Sequence, residues 1–370
     1  MKICIIYNVH PTGVSLYRLE LPNAHISETY PEFDFVSVGD LSTVSPAELS
    51  TIDLFIVNRF WLHGTPDLVQ QVYEGLTAFG AKVLYDIDDY WVLESGHPFY
   101  KDYTERKTAE VIRAHLRLAD IVTTSTPHLA EKIYPFNKNV VVLPNCPFLK
   151  YAQYTPDPSM ERDTEIVKFG WFGAAQHQED IAIMQSGLDL LGNDRSLDGK
   201  YKIYLGGYHE NQVYMDYERM MSWGGKNPNY GRIKSADVYS YVTGYNYINV
   251  ALAPLRETTF NKLKSELKVV EAGYMRKPII CSDMVPYSDV VRHGQNGFLV
   301  PHKKPRNWYK HIRDLMHDKA MVKEMGEALH ADMTKQFDIN KVGAMRAALY
   351  KTTGRKPQNP EPNVIPGNHH

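Results

Sequence analysis

The sequence predicts an α/β protein of two Rossmann-like domains facing each other across a cleft, and three observations carry that prediction. Apolar, β-branched runs alternate with helix-like segments along most of the chain, a pattern that gives parallel sheets covered by helices. Twice, near Gly13 and near Gly173, a strand enters a glycine-bearing loop and then a helix, as a Rossmann-type unit opens. Finally, 370 residues exceed what one hydrophobic core usually supports, which makes two domains the default.

In the first half, 2–7 is the opening strand and 8–15 a turn-rich loop before a helical pattern from Leu16 onward. Gly13 stands alone there, so the full dinucleotide fingerprint is missing. Further strands are expected at 35–38, 54–57, 82–86, 121–124 and 140–143. The strand at 82–86 leads into Asp86, Ile87, Asp88 and Asp89, and carboxylates at such strand ends point into the crevice where open α/β sheets bind ligands. Three roles fit them: a divalent cation held against a diphosphate, contact or base catalysis at a substrate hydroxyl, and capping of the next helix. His97, just downstream, either lines the same cleft or lies at the surface. The polar, proline-bearing run 146–163 reads as a linker, which bounds the first domain at 1–150.

The second domain is expected over 164–338. Its strand at 167–172 enters the small-residue turn 173–175, whose backbone amides can approach an anion closely, and a helix follows from His177 or Gln178. His177 is suited to donate to a phosphate or to cap that helix. A strand at 202–205 ends in the turn Gly206, Gly207, and another at 248–252 leads through Pro254 to a polar loop. A helix over 264–274 comes next, then Lys277, Pro278 and the apolar strand 279–281. On that helix Lys264, Lys268 and Glu271 fall at i, i+4 and i+7, two ammonium groups and a carboxylate on one face. Lysines beside a helix N-terminus suit a diphosphate, and Glu271 suits the hydroxyls of an attached ribose. A helix is expected from 285, an Asn-Gly turn into a strand at 298–300, and two helical patterns over 305–337. A C-terminal helix occupies 339–353, and 354–370 has no apolar period and is expected to be disordered.

Composition narrows the partners. A formal net charge of −2 argues against nucleic-acid binding through a broad basic surface. Three widely separated cysteines, Cys4, Cys146 and Cys281, read as reduced and structural, hence a cytoplasmic protein. The apolar run at the N-terminus is too short for an export signal, and no run of 18 apolar residues is present to span a membrane.

The run from Lys264 to Asp283 resembles the nucleotide-binding helix of the GT-B glycosyltransferases, glycosyl transferases group 1 of the family 4-like kind. The matching positions are Lys264, Ser265, Lys268 and Glu271, then Pro278, Ser282 and Asp283. The resemblance extends to Gly170, Trp171, Gly173 and His177, to Tyr17, Arg18 and Pro22, and to Pro144 and Asn145 at the end of the first domain. Many relatives carry an earlier glutamate that touches the donor sugar, and here that position is Leu263, which leaves Asn261 and Thr259 as the polar substitutes.

The resemblance implies transfer of a hexosyl or pentosyl group from a UDP- or GDP-type nucleotide-sugar to an acceptor hydroxyl, retaining and with no cofactor. Lys264 and Lys268 replace a metal in neutralising the diphosphate, and Asp88 and Asp89 join them as catalytic candidates. Gly173, His177, Gly207, Asn261, Ser265 and Glu271 are expected on the donor side. Gly13, Arg18 and His97 are expected on the acceptor side, with a surface salt bridge as the other reading of Arg18. A glycan, a small molecule or a hydroxymethylated phage DNA base all fit as acceptor, so nucleic acid enters only in that role. A nucleotide-sugar 2-epimerase shares the architecture, and a non-catalytic nucleotide- or sugar-binding protein is the remaining alternative.

Overall fold

The computed structural model describes residues 1–6, 12–59, 64–160, 165–174, 177–210, 212–222 and 227–354. The tail expected to be disordered lies outside these apart from Gly354, as do Tyr7, residues 8–11 of the 8–15 loop, Ala175, Gln176 and the 161–163 end of the linker.

Two six-stranded sheets form, and every strand pairing in them is parallel. The first contains β1 (Lys2–Ile6), β2 (Asp34–Val38), β3 (Leu54–Asn58), β4 (Lys82–Ile87), β5 (Ile121–Thr124) and β6 (Val140–Val142), in the order β2-β1-β3-β4-β5-β6. The second contains β7 (Val167–Phe172), β8 (Tyr201–Tyr208), β9 (Tyr230–Lys234), β10 (Val250–Ala253), β11 (Ile279–Ser282) and β12 (Gly297–Val300), in the order β12-β11-β10-β7-β8-β9. Central strands such as β10, and β3 up to its last residue Asn58, are apolar, and both are buried throughout, as they must be when helices cover both faces. In the second sheet the strand order reverses between β7 and β10, and crevices for ligands open beyond the strand ends at such a reversal. The loops that follow β7 and β10 are those the sequence marked.

Several expectations are corrected. The helix expected from Lys264 begins at Leu267, and Lys264 and Ser265 lie in the turn before it. That turn closes a short helix, Thr259–Lys262, with Leu263 and Lys264 bonded back to the carbonyls of Phe260 and Asn261. Leu263 is buried in the core of the first half beside residues such as Trp91, so the chain must break direction there. Gly206 and Gly207 do not end their strand. It runs on to Tyr208 through a bulge at which Gly207 takes φ +77°, a left-handed conformation that suits glycine. The edge strand β9, with its glycine and two cations, was missed, as was the helix Gln212–Met221. The helix expected from 285 is one tight turn, Tyr287–Asp289.

The C-terminal helix, Ile339–Thr353, returns to the first half. It packs on the helix Leu21–Thr29, and the Tyr350 hydroxyl donates to Asn23 Oδ1 at 2.8 Å. All three cysteines are buried and free. Among the described residues no helix is long and apolar enough to cross a membrane.

Candidate active site

The end of β7 meets the start of the Leu267–Tyr274 helix. Lys268 lies in the first turn of that helix, and its ammonium donates to the carbonyl of Phe172, the last residue of β7. It also stands 5.4 Å from the centre of the Trp171 ring, a cation over an aromatic face. Only glycine fits next along the chain: a Cβ on Gly173 would lie 2.5 Å from the Trp171 ring and 3.2 Å from Lys268 Nζ. Gly207 abuts the same turn, since a Cβ there would come within 3.0 Å of the Gly173 carbonyl. Burial lowers the Lys268 ammonium to about 8, with neighbouring Lys264 adding to the effect and Glu271 opposing it. A half-buried ammonium beside a glycine turn and a helix N-terminus is suited to an anion that brings negative charge.

One turn further along, Glu271 is buried among tyrosines. Its Oε1 accepts from Tyr17 at 2.9 Å and from Tyr241, and Tyr245 lies 3.4 Å from Oε2. Burial holds its carboxyl above the usual range although the Tyr241 and Tyr17 hydroxyls and Lys268 all favour the charged form. Tyr17 reaches it because Leu16–Glu20 forms a π-helical turn, a widened geometry that recurs at functional sites. Tyr241 also lines a cavity of about 480 Å³ at the ends of β7, β8 and β9, with Phe172, Tyr204, Gly207, Ile233 and Tyr247 around it. That volume lies in the range of small-molecule sites.

A second cavity, of about 110 Å³, lies between the two halves, lined by Glu94, His97, Asp180, Arg256, Asn261 and Lys264 among others. Asp180 organises this wall. Its Oδ1 accepts from the Arg256 backbone at 2.7 Å and from Asn261 Nδ2 at 2.9 Å, and its Oδ2 lies 2.7 Å from His177 Nδ1. Burial, with Lys264 next, pushes the His177 imidazole down to about 4, so the ring is neutral at neutral pH. Lys264 stands 5.0 Å from the Phe260 ring, and His97 packs edge-on against the same ring at 4.8 Å. The Thr259 amide donates to Glu94 Oε1 at 2.9 Å, a further contact across the cleft. Ser265 is turned elsewhere: its hydroxyl accepts from Asn145 Nδ2 at 3.2 Å.

The first-half residues divide into two groups. Arg18, expected at the cleft or in a surface salt bridge, is instead wholly buried and ion-paired with Asp86, with Nη2 to Oδ2 at 2.7 Å and Nε to Oδ1 at 3.0 Å. It also donates to the Leu143 carbonyl and to Asn145 Oδ1. Asp86 accepts from Thr123 as well, and although burial penalises its charge, Arg18 more than offsets this and holds the carboxyl below the ordinary range. Asp88 and Asp89 form the second group around Arg59, at 3.3 and 2.9 Å. Burial raises the Asp88 carboxyl despite Arg59, whereas Arg59 and then Lys264 outweigh burial at Asp89 and lower it. Burial, then Lys264, lowers the His97 imidazole. Gly13 is exposed at the start of a short helical turn, with nothing within 4 Å of an added Cβ. Among the described residues no cluster of three or more His, Cys, Asp or Glu side chains is placed to hold a metal ion.

Sequence reasoning missed Asp180, Arg59, Tyr241 and Tyr245. The i, i+3 spacing of His177 and Asp180 is the one local signal for Asp180, since side chains so spaced meet on a helix face. The tyrosines carried no local signal, since Tyr241 and Tyr245 precede Glu271 by 30 and 26 residues.

Residues 267–331 match the family model for glycosyl transferases group 1. No curated protein matches the chain significantly. Among solved structures, sucrose-phosphate synthase from Thermosynechococcus elongatus superposes with a TM-score of 0.67 at 14% identity, over 95% of this chain and 98% of that one. HepE (Alr3699) from Anabaena, solved with UDP and glucose, gives 0.66 at 14% identity, over 95% and 100%. A Listeria monocytogenes protein described as a UDP-N-acetylglucosamine 2-epimerase gives 0.56 at 13% identity, over 96% and 98%. At such identities the likeness speaks for the fold alone. The two parallel sheets are those of a GT-B fold, and the helix that carries Lys268 and Glu271 opens the segment that matches the model for glycosyl transferases group 1.

Proposed function

We propose that the protein is a glycosyltransferase that moves a sugar from a nucleoside-diphosphate sugar to an acceptor hydroxyl. The observation that carries the reading is the position of Lys268: a half-buried ammonium beside Gly173, at the strand-order reversal of the second sheet, with a nucleoside-sized cavity next to it. HepE, which has the same fold, is solved with UDP-glucose. The base and ribose occupy the 480 Å³ cavity, the diphosphate lies along Gly207, Gly173 and Lys268, and the sugar extends toward Lys264, Asn261 and the cavity between the halves.

Transfer breaks the bond between the anomeric carbon and the β-phosphate oxygen, and the nucleoside diphosphate leaves with the electron pair. Lys268, Lys264 and the helix N-terminus stabilise the charge that develops there. The anomeric carbon bonds to the acceptor oxygen, whose proton passes to a carboxylate of the Asp88–Asp89 pair or to the leaving phosphate. His177, held neutral by its surroundings, donates a hydrogen bond rather than a charge, and Asp180 fixes its orientation. The reading includes a metal-independent, retaining course, a UDP or GDP donor, a hexosyl or pentosyl group and a cytoplasmic location. It also assigns the acceptor to 1–150 and the donor to 164–338.

The Listeria neighbour favours one second reading, a nucleotide-sugar 2-epimerase. Incubating the protein with a panel of UDP- and GDP-sugars in excess EDTA, with and without mixed acceptors, separates the two. Acceptor-dependent release of nucleoside diphosphate is the expected result. Isomerised nucleotide-sugar without any acceptor would replace the transferase by the epimerase, and activity restored only by Mg²⁺ or Mn²⁺ would end the metal-independent reading.

A further inference from the structure

We infer that Leu263 is a positioning residue that docks the segment carrying Lys264 onto the first half, so that the two ammonium groups of the site are held by different halves. The inference rests on the phosphate reading of Lys264 given above. By chain order Lys264 belongs to the second half, between β10 and the Leu267–Tyr274 helix. Leu263 beside it is 4% exposed and sits in the hydrophobic core of the first half, the cluster that contains Trp91. Among the described residues every other buried member of that cluster comes from the first half.

The segment takes its position from what it docks on. Thr259–Lys262 is a single helical turn, too short to be stable alone. Contacts with the first half fix it: the Thr259 amide on Glu94 Oε1 at 2.9 Å, the Phe260 ring against His97 at 4.8 Å, and Leu263 in the core. A leucine suits that anchoring, because burying apolar area is favourable whatever the direction of approach. On the other side of Lys264, the Ser265 hydroxyl accepts from Asn145 Nδ2 at 3.2 Å. Both chain neighbours of Lys264 are therefore anchored on the first half. Asn261 ties the segment to the second half, donating to Asp180 Oδ1 and to the Arg256 carbonyl at 2.9 Å each. Lys268, by contrast, is fixed within the second half by its bond to the Phe172 carbonyl. Lys264 lines the cavity between the halves, and burial, then its charge, lower both the His97 imidazole of the first half and the His177 imidazole of the second. A shift of one half against the other would thus move the Lys264 ammonium relative to Lys268 and to a diphosphate held there.

The test is calorimetric titration of the full chain with UDP, UMP, GDP and GMP, read as the ratio of diphosphate to monophosphate affinity for the base that binds. The β-phosphate is the group that Lys264 meets, so Lys264→Met is expected to narrow the wild-type ratio about tenfold, the worth of one charge-assisted hydrogen bond. Leu263→Ala, with Lys264 intact, is expected to narrow it by about threefold or more, and Leu263→Met, which refills the space, to restore it. On the Lys264→Met background Leu263→Ala leaves the ratio unchanged, as expected of a residue acting through another. Leu76→Ala, in the same core but on the helix Pro66–Thr77, lowers the melting temperature without moving the ratio. If Leu263→Ala fails to fold, Leu263→Val carries the same comparison. A ratio left at the wild-type value by Leu263→Ala, or narrowed further by it in the double variant, overturns the inference and leaves the reading of Lys264 in place. A wild-type ratio in Lys264→Met would remove that reading and the inference with it, and no binding of any of the four nucleotides would remove the nucleotide reading as well.

Discussion

At Lys268 the charge of the site and its pH dependence meet. Replacing it with Met keeps most of the packing stem and removes the charge that grows in value as the leaving diphosphate becomes more anionic. Turnover is expected to fall about 10²-fold or more, with donor affinity less affected. Lys262, exposed and paired with Glu257 at 2.8 Å, provides the control, and Lys262→Met is expected to leave kcat close to wild type. Equal losses in the two variants would show the lysines to be a solvated charged face. The sign of the pH effect follows from burial: the Lys268 ammonium titrates near 8, so it is charged below that pH and loses its proton as the pH rises through it. Nucleotide affinity is therefore expected to weaken above about pH 8 in wild type and to lose that dependence in Lys268→Met. Lys268 and Gly173 were legible because each sits in a local pattern of the sequence. Asp180 and Tyr241 were less so, since their roles arise from partners 81 and 30 residues away.

Among the elements, the glycine turn after β7, the Gly207 bulge in β8 and one helix make the site. A Cβ at Gly173 must displace the Trp171 ring, which is wholly buried, so Gly173→Ala is expected to cost about 1–3 kcal/mol of stability. It is also expected to weaken nucleotide binding, because the same Cβ crowds Lys268 Nζ. Urea unfolding together with a nucleotide titration checks both, and an unchanged midpoint would show that the turn gives way freely. The strands were legible as short apolar runs, and their ends were less so. Lys264 to Tyr274 reads as one helix because local propensity favours it, yet Leu263 is drawn into the core of the other half and breaks the run there. Tertiary burial overrode propensity. The strand β9 failed to show because YGRIK has neither an apolar run nor clean alternation. Gly206 and Gly207 read as a turn, and only the pairing of β8 with β9 shows a bulge within a longer strand.

For the whole molecule, the two sheets are held in relation by polar links as well as by the returning C-terminal helix. Asp86, Arg18, Asn145 and Ser265 form a continuous chain from the centre of the first sheet to the turn before the Leu267–Tyr274 helix. Arg18→Met would leave Asp86 charged and buried without its partner, a change that costs about 3–5 kcal/mol. A lowered melting temperature is expected, and a variant as stable as wild type would show that the pair is dispensable. The paired parallel sheets were legible because alternating strand and helix patterns admit few other arrangements. That Arg18 belongs to this internal chain was not, since its partners lie 68 and 127 residues away.

The proposed activity requires a nucleoside diphosphate in the second half with its phosphates at Lys268. A crystal structure of the protein with UDP or GDP tests this most directly. The base is expected in the cavity beside Tyr204 and Tyr247, and the diphosphate between the Gly173 amide and Lys268 Nζ, with no metal bridging it. A diphosphate held through a cation on Asp88 and Asp89, or bound away from Lys268 altogether, would contradict it.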